Sequence, residues 1–447
     1  IWLGGLVTRG DYDRMAVAYA PSDGRVVYAF AAIGDAAYLW RRATSNGPFV
    51  RQELPDDLDV TQAWYDWCLA VQADDPNVVY LGAIELYRGR RSGASWTWRN
   101  VSSRRVGDSI HPDQHAIVTS PGWPRLLLVG NDGGVFRSRD RGGSWESLNP
   151  GLGITEFEFL AQHPTSTSWI LGGTQDNGTL RHKGNGEWEH VADGDGGDCG
   201  IDEVRPDACY HSYYGMGLER SDRRGDRDSW FKVGPSSGLP SLFYPPFEAR
   251  GRILAQAGSD LMISTTGGQP WTNVPIEQTD PGNDTYGSAL AIPADDRILV
   301  GTTYGEIYEV SLGTDGAVVR LLGQPRRAAF VSDIHVDPSN PAVIWVSYST
   351  IGGPSVFCSR DGGRTWSNRT SDLPRLPVNA VFVDPADGNV VYVGTDNGVY
   401  CSADSGSTWT DFSSGLPNAI VGDLVFLAPQ RLMRVGTRNR GVWQVKL

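Results

Sequence analysis

Asp113 and His115 stand two residues apart in His111-Pro-Asp-Gln-His115, and a carboxylate beside imidazoles could move protons or ligate an ion. Two more polar runs share that character, Gln175-Asp176-Asn177 and Asp193-Gly-Asp195-Gly-Gly-Asp198. Cleaving a glycosidic bond needs two carboxylates whose proton affinities are pushed apart. Asp113, Asp176, Asp195 and His115 are therefore the candidate catalytic residues. Trp64, Tyr65 and Trp67 could stack on sugar rings. His111, Gln114, Glu156, Gln175 and Asn177 could bind hydroxyls. Asp193, Asp195 and Asp198 offer hard oxygens suited to calcium, although no Glu follows where an EF-hand loop requires one. The same runs are also good turn chemistry, so glycan, metal and structural readings all stay open.

The elements that must position these loops repeat. Ser138-Arg-Asp140-Arg-Gly142-Gly-Ser-Trp145, Ser359-Arg-Asp361-Gly-Gly363-Arg-Thr-Trp366 and Ser402-Ala-Asp404-Ser-Gly406-Ser-Thr-Trp409 share the pattern S-x-D-x-G-x-x-W. Such a segment closes a hairpin: the Asp accepts turn amides, the Gly permits an unusual φ, and the Trp fills the gap to a neighbouring sheet. Ser264-Thr-Thr266-Gly-Gly268-Gln-Pro-Trp271 is a fourth copy with Thr in place of Asp. Trp366 and Trp409 lie 43 residues apart, and Trp145, Trp188, Trp230 and Trp271 keep nearly that period. Within a repeat, Ala380-Val-Phe-Val-Asp384 and Asn389-Val-Val-Tyr-Val-Gly-Thr395 read as strands between Asp-Pro and Asp-Gly turns.

On these motifs the chain resembles the Asp-box, or BNR, repeat proteins, and over its length the sortilin/Vps10-like propellers. The order of His111–His115, Gly130-Asn-Asp-Gly-Gly134, Gly172-Gly-Thr-Gln-Asp-Asn-Gly-Thr179 and Gly436-Thr-Arg-Asn-Arg-Gly-Val-Trp443 carries that likeness, which extends to xyloglucanase-type Asp-box propellers. The resemblance implies an all-β fold, a single β-propeller of four-stranded blades over residues 1–447. Nine full units and a shorter tenth suggest ten blades, with seven or eight as the alternative because propellers usually have four to eight. Ile1-Trp-Leu-Gly-Gly-Leu-Val7 is expected to add the strand that the last blade, 421–447, lacks. Up-and-down blades put the loops leading into each first strand at the same end as the loops between second and third strands. The polar runs lie there, mostly in the first five units. Asp140, Asp361 and Asp404 lie at the other end and read as structural. Sortilin implies a second function, a peptide or protein receptor, but the Cys-rich region and membrane helix of that family are missing.

Composition narrows the partners. The formal net charge is −13, which argues against nucleic acid or an anionic membrane. Lysine occurs only at Lys183, Lys232 and Lys446, so nearly all basic residues are Arg. No apolar stretch is long enough to span a bilayer. The expectation is a secreted or periplasmic monomer, its leader removed, taking a glycan or peptide ligand. Sialidase chemistry lacks its F-R-I-P segment, and G-x-S-x-G, P-loop and H-E-x-x-H motifs are absent. Of the five Cys, Cys199 and Cys209 flank a turn and could pair, whereas Cys358 and Cys401 occupy the same place in successive repeats.

Overall fold

Strands rich in Val, Ile and aromatic residues alternate with Asp, Gly and Pro turns through the described residues. The computed structural model describes residues 12–102, 110–184, 186–236, 238–277 and 284–447. Among these, nine antiparallel sheets have four strands and one has three, and the strands within each sheet follow chain order. No helix among the described residues is long and apolar enough to cross a membrane. The chain divides into two compact units, Ile1–Gly153 and Ile154–Leu447.

The first unit holds three sheets, spanning residues 14–52, 68–100 and 114–147. Their first strands, Arg14–Ala20, Cys68–Val71 and Gln114–Thr119, lie side by side. The core between the first two sheets centres on Tyr28, Phe30, Leu39, Trp67, Val79 and Leu81.

The second unit holds seven sheets, spanning 157–192, 199–232, 247–274, 287–323, 331–368, 378–411 and 421–446. Each first strand packs on the next, and the last, Val421–Leu427, packs back on the first, Phe157–Gln162. The junction has specific bonds. The Leu160 amide donates to the Asp423 carboxylate at 2.7 Å, and the Gly441 amide donates to the Thr155 carbonyl at 3.0 Å. Arg434 reaches across to the Gln162 side chain and the Thr167 carbonyl. The sheet count agrees with ten repeats. Within the second unit the seven first strands follow one another and return to the first. The proposed strand at residues 1–7 lies outside the described residues.

The three S-x-D-x-G-x-x-W turns share one geometry. In each, the Ser hydroxyl donates to the Asp at 2.8 Å and accepts the Gly amide at 2.8 Å. The Asp also takes the amide and hydroxyl four residues on, from Ser144, Thr365 or Thr408. The indole N–H of Trp145 or Trp409 donates to the end of the preceding sheet, at Val101 or Arg369. All five cysteines are thiols. Register sets Cys199 opposite His211 and Cys209 opposite Ile201, so the two do not face each other and the expected disulfide is not formed.

Candidate functional site

A one-residue bulge recurs near the start of most first strands. It falls at His115 in the first unit, and at Glu158, Ser288, Ser332, Asn379 and Gly422 in the second. A bulge turns one side chain out of the ladder and re-aims it. At Ser288, Ser332 and Asn379 the side chain bonds a carbonyl of the next blade, at Val331, Val378 and Val421. At His115 and Glu158 the bulge carries an ionisable group instead. Nothing in the residue types announces the extra residue, so sequence reasoning missed this column.

In the first unit, the leading loop of the second sheet and two loops of the third meet. His115 Nε2 bonds Asp132 Oδ1 at 2.7 Å, and the Tyr65 hydroxyl donates to Asp132 Oδ2 at 2.9 Å. The Tyr65 and His115 rings meet edge to face at 4.8 Å. Asp113 sits in the left-handed region at φ 62°, its amide bonded to the Ile84 carbonyl at 2.8 Å. The Gln62 amide donates to its carboxylate at 3.4 Å. Trp64 is 69% exposed and Tyr65 is 38% exposed. Two expectations fail here. Trp67 is buried, stacked on Phe30 at 3.7 Å with its indole N–H on the Phe30 carbonyl, so it is core and not a sugar platform. Gln114 is fully buried and ties the loop together through the Ile84 and His111 carbonyls and Asn131, so it cannot bind substrate. The His111 side chain lies over Gly133, where an added Cβ would fall 2.4 Å from the His111 Cβ and 2.7 Å from its ring, and its Nδ1 faces the Pro112 carbonyl at 3.2 Å.

The second unit gathers the other group. The Asp-Gly-Asp-Gly-Gly run threads between the loops of its first blade so closely that side chains would not fit. A Cβ on Gly196 would lie 2.2 Å from the Gly178 carbonyl, and one on Gly173 would lie 1.9 Å from that of Gly197. This close approach delivers Asp195 to Gln175, whose amide nitrogen donates to Asp195 at 3.3 Å and to Asp176 at 3.0 Å. The Gln175 oxygen accepts the Tyr244 hydroxyl. Asn177 donates to the Gln175 carbonyl at 3.0 Å and so braces the turn. Asp176, at φ 57°, holds the strained corner.

Glu156 and Glu158 lie beside these residues. Burial, followed by the Glu158 carboxylate, pushes Glu156 up to about 7. Glu158 is paired with Arg438 at 3.0 Å. Tyr244 loses acidity through burial and the nearby charges of Asp195, Glu158, Asp176 and Glu156. Its ring meets Phe243 edge to face at 4.8 Å, Phe243 stacks on Tyr214 at 5.7 Å, and Tyr214 lies 4.3 Å from Tyr213. Tyr213, Tyr214 and Phe243 are exposed. The Leu242-Phe-Tyr-Pro loop, read from sequence as merely apolar, thus supplies half of an aromatic platform. The signal was present as two aromatic doublets on loops of one end. A groove of about 910 Å³ opens beside it, lined by Asp193, His211, Tyr213, Tyr214 and Trp230.

The D-x-D-x-x-D run does not converge as a metal site. Among the described residues, no three His, Cys, Asp or Glu side chains are placed to hold an ion. Asp193 is turned outward, 3.5 Å from His190 and 3.8 Å from Arg227, while Asp198 accepts the Phe247 amide at 2.9 Å. Asp198 instead belongs to a second set. Burial, then neighbouring charges, raise Asp198 to about 7 and Glu248 well above its usual range. Asp333 rises to about 7 and Asp423 to about 6, burial again leading. These carboxylates belong to four different blades of the second unit. Asp198, Asp333 and Asp423 are half-buried, and Glu248 is exposed at the surface of its strand.

No protein-family model matches the sequence, and no curated protein does. Among solved structures, an ancestral GH74 enzyme is similar over 97% of this chain and 72% of its own, with 16% identity and a TM-score of 0.64. YCF48 from Cyanidioschyzon merolae is similar over 65% of this chain and 95% of its own, with 15% identity and a TM-score of 0.50. Together with the three sheets of the first unit and the seven of the second, these likenesses show that the chain has an all-β propeller fold, shared with this GH74 enzyme and YCF48.

Proposed function

We propose that the second unit binds a glycan on the Tyr213, Tyr214 and Phe243 platform and acts on it with Glu156 as acid and an ionised partner among Glu158, Asp176 and Asp195. One observation carries this reading: the half-buried Glu156 carboxyl, pushed up to about 7 by burial and by Glu158, lies next to Glu158, which itself pairs with Arg438 at 3.0 Å. Paired carboxyl groups pushed apart in this way suit proton donation to a leaving oxygen and stabilisation of the positive charge that develops. Exposed aromatic rings beside them suit the apolar faces of sugars, and Asn, Gln and Tyr groups suit their hydroxyls. The fold shared with a GH74 enzyme is compatible with such chemistry. The resemblance to Asp-box proteins, and an exported location, belong to the same proposal.

The test is a glycan array followed by reducing-end assays on the polysaccharides that bind. Binding that falls at least tenfold in Tyr214→Ala or Phe243→Ala is expected, with turnover lost but binding kept in Glu156→Gln. A chain that binds no glycan, or a Glu156→Gln variant with unchanged turnover, sinks the reading.

A further inference from the structure

The imidazole of His115 has one nitrogen committed and one open. The residue sits at a strand bulge, and its Nε2 meets Asp132 Oδ1 at 2.7 Å. A carboxylate oxygen only accepts, so the neutral ring carries its proton on Nε2 and a lone pair on Nδ1. Among the described residues Nδ1 has no partner, and the His115 side chain is 33% exposed. The Tyr65 hydroxyl gives the other Asp132 oxygen a bond at 2.9 Å, and the Asp132 side chain is 9% exposed. One nearly buried carboxylate therefore holds both rings. The contacts continue outward: Tyr65 meets His115 edge to face at 4.8 Å, and the exposed Trp64 ring lies 5.6 Å from Tyr65. The backbone that carries Trp64 is fixed. Arg14 donates to the Trp64 and Tyr65 carbonyls at 3.1 and 2.5 Å, the Tyr65 amide closes a turn onto the Gln62 carbonyl at 2.7 Å, and Trp67 anchors the run in the core. A ligand meets such a preformed wall without the entropic cost of ordering a loop.

We propose that the first unit holds a site for a neutral oligosaccharide, in which the Trp64 indole takes the apolar face of one sugar and His115 Nδ1 accepts a hydroxyl of the next. Asp132 and Tyr65 are positioning residues. Asp132 fixes the proton on Nε2 and thereby keeps Nδ1 an acceptor, and Tyr65 steadies Asp132. A sugar presents that combination, with C–H groups on the flat of its ring and O–H groups on its rim. Because the Tyr65 ring separates the indole from the imidazole, the ligand is at least a disaccharide. A carboxylate-held imidazole also suits a metal ion, but among the described residues no three His, Cys, Asp or Glu side chains are placed to hold one. Every residue of the site lies in the first unit, so it stands apart from the Glu156 proposal.

The experiment uses the full chain, nitrogen-15 labelled at His and Trp, at about pH 8, where an ordinary imidazole is neutral. The His115 signals, assigned by their loss in His115→Gln, should show a protonated Nε2 and a bare Nδ1. In Asp132→Asn the new amide can donate to Nε2, so the two nitrogens should exchange character. Cellobiose, maltose and xylobiose serve as probes. At least one should move both the His115 Nδ1 signal and the Trp64 indole signal of the parent chain. Read at His115, the same shift should need about tenfold more disaccharide in Trp64→Ala and in Asp132→Asn. Read at Trp64, it should need about tenfold more in His115→Gln, which keeps a donor for Asp132 and should melt with the parent. A parent chain with a proton on Nδ1, or on both nitrogens, overturns the acceptor. Signals that no disaccharide moves, or titrations indifferent to Trp64→Ala, overturn the site. A titration unchanged in Asp132→Asn overturns the positioning role.

Discussion

Trp64 and Trp67 sit three residues apart and do opposite work. The first projects its ring to solvent, while the second packs flat on Phe30 and donates to that residue's carbonyl. Trp67→Ala should lower unfolding free energy by about 3–5 kcal/mol, the usual cost of emptying a large aromatic site. Trp64→Ala should stay within about 0.5 kcal/mol of the parent, as exposed positions do. Urea titrations separate the two, and a destabilised Trp64→Ala would show that its ring is structural. At the same scale, Glu158→Gln removes the second cause of the raised Glu156 value but leaves the first, burial. Its midpoint should fall from about 7 yet remain above that of an ordinary Glu, as carbon-13 NMR of labelled Glu carboxyls can read. No change on removing Glu158 would mean that the two carboxyl groups are uncoupled.

At the scale of the element, the turn aspartates and the bulges divide labour between the two ends of the strands. Asp361 is held at about 2 chiefly by the Thr365 hydroxyl and amide, and Asp404 at about 2 chiefly by the Thr408 amide and hydroxyl. Their folded values lie below the unfolded carboxylate value of about 3.9, so the stability they add is present above that value. It is lost as pH falls from about 4 toward 2. Asp404→Ala should therefore melt a few degrees lower than the parent at pH 7, and the gap should close by pH 2. Glycan binding per folded molecule should not change, since the strand order places this turn at the opposite end from Gln175 and Glu156. A loss of binding at unchanged melting temperature would contradict that placement.

At the scale of the molecule, the carboxyl groups of the second unit whose values are raised should set how stability depends on pH. Asp198, Asp333 and Asp423 have folded values of about 7, 7 and 6, above the unfolded value of about 3.9. Between those limits the folded chain keeps protons that the unfolded chain has released, so stability falls as pH rises through that window. With the turn aspartates failing below about 4, calorimetry should find the highest melting temperature near about pH 4–5 and a decline toward pH 8. A maximum at pH 7 or above would refute the raised values. Asp423 also seals the ring by accepting the Leu160 amide. Asp423→Ala should cost about 1–3 kcal/mol by leaving that donor unpaired. Amide exchange should quicken first along Phe157–Gln162 and Val421–Leu427, the two strands that meet at the closure.

The sequence by itself determined the units of this protein: strand, turn and blade. A period near 43, alternating apolar residues and the S-x-D-x-G-x-x-W turn are local properties, and the hydrogen bonds of Asp140, Asp361 and Asp404 never leave their own hairpins. Much of the candidate site was legible for the same reason, since Asp176, Asp195, Gln175 and Glu156 lie in loops whose end of the sheet follows from strand order alone. Only the tertiary structure decided how many blades close a ring, because every blade offers its neighbours nearly the same surface and the count depends on accumulated twist. It decided which Trp faces water, for Trp64 and Trp67 carry identical rings and differ only in what packs against them. It likewise brought Tyr213 and Tyr214 to Phe243 and Tyr244. Proton affinity and stacking arise from contacts between residues remote in the chain, so they come into being only when the blades pack.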